Sequence, residues 1–149
     1  MSRRKKWLAG ILIILAGIQF IQPVRNESGQ AFSSDITGVV ATPPHIAAIL
    51  KAACYDCHSN NTRYPWYTYV QPAGWVLARH VAEGKEELNF HLFGTYTPRR
   101  QASKLRSIAS SIKDGTMPLI SYKWLHPEAR LTPAQREAVL HWLEGIGKD

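Results

Sequence analysis

Cysteine is nearly absent from this 149-residue chain, which has only two. Two thiols cannot build a disulfide scaffold or an all-cysteine zinc site, so both classes fall away. Methionine is as scarce: beyond the initiator, Met117 is the only thioether in the sequence. Acidic residues are missing from the first 25 positions, which hold Arg3, Arg4, Lys5, Lys6 and Arg25. The formal charge of +7 comes mostly from that end, because residues 26–149 carry 13 basic groups against 11 acidic ones. With no contiguous basic stripe beyond it, no nucleic-acid partner is expected. No stretch alternates with a period of two, so no sheet is expected, and no internal repeat is visible. What is present is 45% hydrophobic and 19% charged, too apolar for a disordered chain.

The N-terminus sets a compartment. Four basic residues precede Trp7–Ile21, an apolar run broken only by Gln19. This is the charged n-region and apolar h-region of an export signal. A full span needs about 20 apolar residues, with about 17 as the lower limit, and the segment with its flanks lies between the two classes. Phe20-Ile21-Gln22-Pro23 is too bulky for a small-x-small cleavage site. Residues 1–22 are therefore expected to be an uncleaved signal-anchor, a transmembrane or signal helix, with a cleaved signal peptide as the alternative. It would keep Arg3–Lys6 cytoplasmic, anchor the chain in the inner (cytoplasmic) membrane and place the rest in the periplasm.

Residues 23–41 read as a linker, since Asn26–Ala41 is rich in Ser, Gly, Thr and Gln. The remainder, 42–149, reads as one all-α domain of about four helices. Thr42-Pro43 is a cap signal for a helix running to about Ala53, with Ile46, Ile49 and Leu50 on one face. A second helix is expected from about Pro72 to Lys85. The third follows Thr97-Pro98, carries Leu105, Ile108, Ala109 and Ile112 at helical spacing, and stops at Asp114-Gly115. The fourth opens at Thr132-Pro133, where Gln135 completes a capping box, and closes at Gly145.

Both cysteines fall in Cys54-Tyr55-Asp56-Cys57-His58, a C-x-x-C-H attachment pattern of c-type haem. Two thiols three positions apart at a helix end can reach two vinyl groups on one porphyrin edge. The adjacent His58 then falls beneath the iron as proximal ligand. One covalent haem c per chain would also give a small helical domain its core. A zinc knuckle lacks its second ligand pair, and a thioredoxin-like dithiol would follow a strand rather than a capped helix. On the opposite side Met117, between a helix stop and Pro118, is the expected sixth ligand, with core filling as the bland alternative. His80 is the best of the competing nitrogen donors, ahead of His45, His91, His126 and His141. The run Arg63, Tyr64, Pro65, Trp66, Tyr67 and Tyr69 either packs in the core or lines a porphyrin face, with Arg63 or a tyrosine reaching a propionate. Tyr122 and Trp124 allow the same two readings.

On these residues the chain resembles the bacterial haem-binding-domain family of small, membrane-anchored c-type cytochromes. The matching positions are Cys54–Asn60, Tyr64–Tyr67, Val81, Glu83-Gly84, Leu88–Phe90, Met117–Leu119, Tyr122 and His126–Leu131. The resemblance implies an exported haem domain attached through Cys54, Cys57 and His58. One departure is His91-Leu92-Phe93 after Phe90, where the family usually has Ser-x-Trp. The expected function is electron transfer through His58/Met117-ligated haem to a redox partner protein in or at the membrane, without enzymatic activity. A gas sensor or peroxidase with a labile sixth site is the alternative.

Overall fold

The computed structural model describes residues 2–146. Its helices are α1 (Arg3–Ile18), α2 (Ile36–Val39), α3 (Pro44–Ala53), α4 (Tyr55–His58), α5 (Ala73–Glu87), α6 (Pro98–Lys113), α7 (Ile120–Leu125) and α8 (Pro133–Ile146). Short 3-10 turns cover Trp66–Tyr69, Phe90–Thr95 and Pro127–Ala129. Among the described residues there is no strand, only a lone antiparallel bridge between Glu27 and Asn61. The all-α expectation holds.

Local chemistry explains where α6 and α8 begin. The Arg100 amide donates to Thr97 Oγ1 at the start of α6 (3.3 Å), and Gly115 beyond its end takes a φ of 70°. The expected capping box opens α8: the Thr132 amide donates to Gln135 Oε1 (2.9 Å) and the Gln135 amide to Thr132 Oγ1 (3.2 Å). Thr42 behaves differently, donating its hydroxyl to the Val40 carbonyl while Pro43 takes the cap position of α3. The apolar faces of α3, α6 and α8 meet through Ile46, Leu50, Ile112, Val139, Trp142 and Leu143. Phe90 and Phe93 join them from the 3-10 turn after α5, so the segment that departs from the family pattern supplies core.

Two expectations about the N-terminal part are corrected. The apolar run does become a helix, but α1 has 16 residues, and no helix among the described residues is long and apolar enough to cross a membrane. Its turns end where the Gln19 side chain binds the Leu15 carbonyl and leaves the helix for the domain. The stretch expected as a 23–41 linker is instead packed down. Ile36 is fully buried, and Asp35 accepts from the Thr37 amide and the Tyr55 hydroxyl. Asn26 Nδ2 donates to the Ser59 carbonyl and Thr62 Oγ1. Side chains that make a segment read as polar linker here act as donors and acceptors to the domain. Helix α7 gave no sequence signal because Ile120, Trp124 and Leu125 face outward and only Tyr122 is buried.

Candidate functional site

Cys54 sits at the junction of α3 and α4, its amide still bonded to the Leu50 carbonyl (2.8 Å). Its own carbonyl accepts from the amides of Cys57 (3.2 Å) and His58 (3.0 Å). That single turn brings positions 54 and 57 onto one face, the i, i+3 relation of a helix. Helix α5 packs against the turn through Gly84. A Cβ there would stand 2.6 Å from the Cys57 carbonyl oxygen, so glycine permits the approach. Burial above all pushes the thiols up, Cys54 to about 12 and Cys57 to about 11. Both are therefore protonated at neutral pH and lack the thiolate character of a redox dithiol or metal-binding pair.

His58 is held by its second nitrogen. Nδ1 lies 3.0 Å from the Leu88 carbonyl oxygen, an acceptor only, so Nδ1 carries the proton and Nε2 keeps its lone pair. Burial lowers the pKa of this imidazole, which keeps it neutral, the form that ligates iron. The ring is set edge-on to Phe90, with centroids 6.0 Å apart. An orienting carbonyl of this kind fixes both tautomer and ring direction for a metal ligand.

Two adjoining cavities of about 210 and about 180 Å³ open on this motif. Both are lined by Ala53, Cys54, His58, Glu87, Met117 and Pro118. Met117 is 39% exposed, and its amide is tied back to the Ser111 carbonyl of α6 (3.3 Å). The structure thus gathers Cys54, His58 and Met117 on both cavities, and Cys57 and His80 on the smaller one. The other histidines lie elsewhere. His91 accepts from the Asn60 amide and stacks on Phe32, His126 pairs with Tyr67 and Glu128, and His45 and His141 line separate surface clefts. Sequence reasoning missed the opposing wall of the larger cavity, built by Lys104, Ser107, Ile108 and Ser111 of α6. Of these only Ile108 belongs to the apolar stripe of that helix, and Lys104, Ser107 and Ser111 carry no sequence signal for a cavity wall.

The aromatic run after the motif does not reach the cavities. Arg63 Nε bridges both Asp56 oxygens at 3.2 Å, its amide donates to Oδ1, and it also faces Glu128 at 3.7 Å. The Tyr67 hydroxyl meets His126 Nε2, and the Tyr64 hydroxyl accepts from the Asn26 amide. Trp66 and Trp124 point to solvent. Of the two readings of this run, the structure shows the packing one: Arg63, Tyr64 and Tyr67 bond within a polar network behind the motif. At its centre is Asp56, buried, which also accepts from the Tyr122 hydroxyl. Burial first, then the hydrogen bond to Asp56, raises the pKa of Tyr122 and keeps it a donor. The Tyr122 ring lines the smaller cavity and stacks on His126 at 4.0 Å.

The donor set fits haem c: two protonated thiols on one face of a turn, a neutral imidazole with a free Nε2, and a thioether on the walls of the same mainly apolar space. A family model described as haem-binding domain matches residues 13–145. No curated protein and no solved structure matches the chain.

Proposed function

The chain belongs to the haem-binding domain family, with haem as its cofactor, and from that premise we propose that it is an exported c-type haem protein that transfers electrons. The observation that carries this reading is that Met117 lines both cavities that contain His58, whose Nε2 is free. When bound, haem supplies one-electron chemistry between ferric and ferrous iron. Cys54 and Cys57 would each add S–H across a vinyl group, sulfur to one carbon and hydrogen to the other, with no oxidant required. His58 would donate Nε2 from one side, while its Nδ1–H stays on the Leu88 carbonyl. Met117 would give its sulfur as the second protein ligand, a set that raises the potential and favours electron transfer over oxygen chemistry. Ile108, Ile112, Leu88 and Phe90 line the larger cavity and would keep water from the bound haem. His80, on the smaller cavity, is the second donor able to take the sixth position.

Export and attachment to the inner membrane belong to the same reading. Arg3–Lys6 form the first turn of the exposed helix α1 and its apolar part follows, the order of an export signal whose basic end stays cytoplasmic. The partner is then a redox protein in or at that membrane. The test is spectroscopic. Denatured protein should retain haem stain and give a c-type pyridine haemochrome. The oxidised protein should show the weak far-red band of His/Met ligation. Haem extractable by acid acetone would sink covalent attachment, and a high-spin ferrous form that takes up CO at once would favour the sensor or peroxidase.

A further inference from the structure

We propose that the membrane anchor is composite: α1 is completed by residues 20–24 and by the face of the haem domain formed by residues 66–76, which rests in the lipid interface. The inference rests on the attachment reading above and adds the orientation of the domain. Helix α1 buries no residue against the protein, and from Trp7 to Ile18, beyond its basic first turn, it is apolar on all sides. A helix of that kind is matched to hydrocarbon rather than to an interface plane. Its apolar part, Trp7–Ile18, rises about 18 Å, at 1.5 Å per residue, against a hydrocarbon core of about 30 Å. A deficit of that size is met by drawing flanking residues inward.

The flanking residues are suited to it. Phe20 and Val24 are 89% and 95% exposed, and Ile21 is also exposed. The chain then does not swing away from the domain, because glutamine side chains tie the helix end to the loop before α5. Gln19 Oε1 accepts from the Gln71 amide (2.8 Å) and Gln19 Nε2 donates to the Gln71 carbonyl (3.2 Å). Gln22 Nε2 donates to the Tyr69 carbonyl (3.2 Å), and Trp75 Nε1 to the Ile21 carbonyl (2.8 Å). These bonds hold residues 69–75 level with the end of α1. Around them Trp66 is 79% exposed, and Tyr69, Val70 and Val76 are exposed as well.

Trp and Tyr at the level where an apolar helix ends form the aromatic belt of a membrane interface. Arg25 lies over the rings of Tyr64 and Tyr69, at 4.3 and 3.9 Å, and brings a cation to the level of the lipid phosphates. The occupant of this face is therefore a phospholipid surface, continuous with the lipid around α1.

The full holoprotein in phosphatidylethanolamine/phosphatidylglycerol vesicles tests this, spin-labelled at Leu12→Cys, Trp66→Cys, Val70→Cys or Ser103→Cys. Labelled wild type gives the background from Cys54 and Cys57, and an unchanged haem spectrum verifies each fold. Labels at 66 and 70 should be several-fold more accessible to oxygen, relative to a water-soluble nickel complex, than the label at 103 across the cavity on α6. Lipid-like accessibility at 12 with water-like accessibility at both 66 and 70 overturns the composite anchor and leaves simple attachment standing. Water-like accessibility at 12 as well overturns both.

Discussion

Met117 and His80 line the same small cavity, so one substitution separates them. Met117→Ala should abolish the far-red band, lower the midpoint potential in a redox titration and admit CO or imidazole. A spectrum unmoved by that change but altered in His80→Ala would make His80 the ligand. Behind the motif, Asp56 is buried and holds Arg63 and Tyr122 together. Hydrogen bonds to a charged group contribute about 1.5–3 kcal/mol. Tyr122→Phe should therefore cost about that much in denaturant unfolding, and Asp56→Asn at least as much. Because both act on one network, the double variant should lose less than the two single losses combined. The sequence displayed Asp56 only as a spacer of the C-x-x-C-H pattern, and its partners lie on other elements.

At the scale of elements, α5 packs closely against α4. Gly84 faces the Cys57 carbonyl with no room for a methyl group, and the obstacle is backbone, which cannot swing aside. Gly84→Ala should destabilise by about 1–3 kcal/mol, the usual range for overpacking, and reduce haem incorporation, read by melting temperature and by haem-to-protein ratio. Gly145 in α8 has open space around its Cα. Gly145→Ala should leave incorporation unchanged and raise stability by up to about 1 kcal/mol. The paired result distinguishes close approach from helix propensity. Long helices with a cap and a 3.6-residue stripe were legible because both signals are local. The 3-10 turns and α7 were not, since their few apolar residues lack a period.

For the whole molecule, the cavities lie between α3–α4, the end of α5, α6 and the Met117 loop, so the cofactor site is where the elements converge. Cys54→Ala/Cys57→Ala should release haem to acid acetone and lower the thermal midpoint of the domain markedly, because a cofactor bound only to the folded state stabilises it. Retained stability with lost attachment would show that the helical core of Ile46, Leu50, Val139 and Trp142 suffices alone.

The sequence by itself determined the chemistry that depends on near neighbours. Cys54, Cys57 and His58 are adjacent along one turn, caps precede the helices they start, and four basic residues open α1 before its apolar part. Only the tertiary structure decided what depends on distant partners. It set the tautomer of His58 through Leu88, paired Arg63 with Asp56, and buried Ile36 of the supposed linker in the core. It also brought Met117 into reach of the cavity and bound the end of α1 to the loop at Gln71. Spacing along a chain fixes geometry over about one helical turn, and beyond that the direction of each side chain is set by what folds against it.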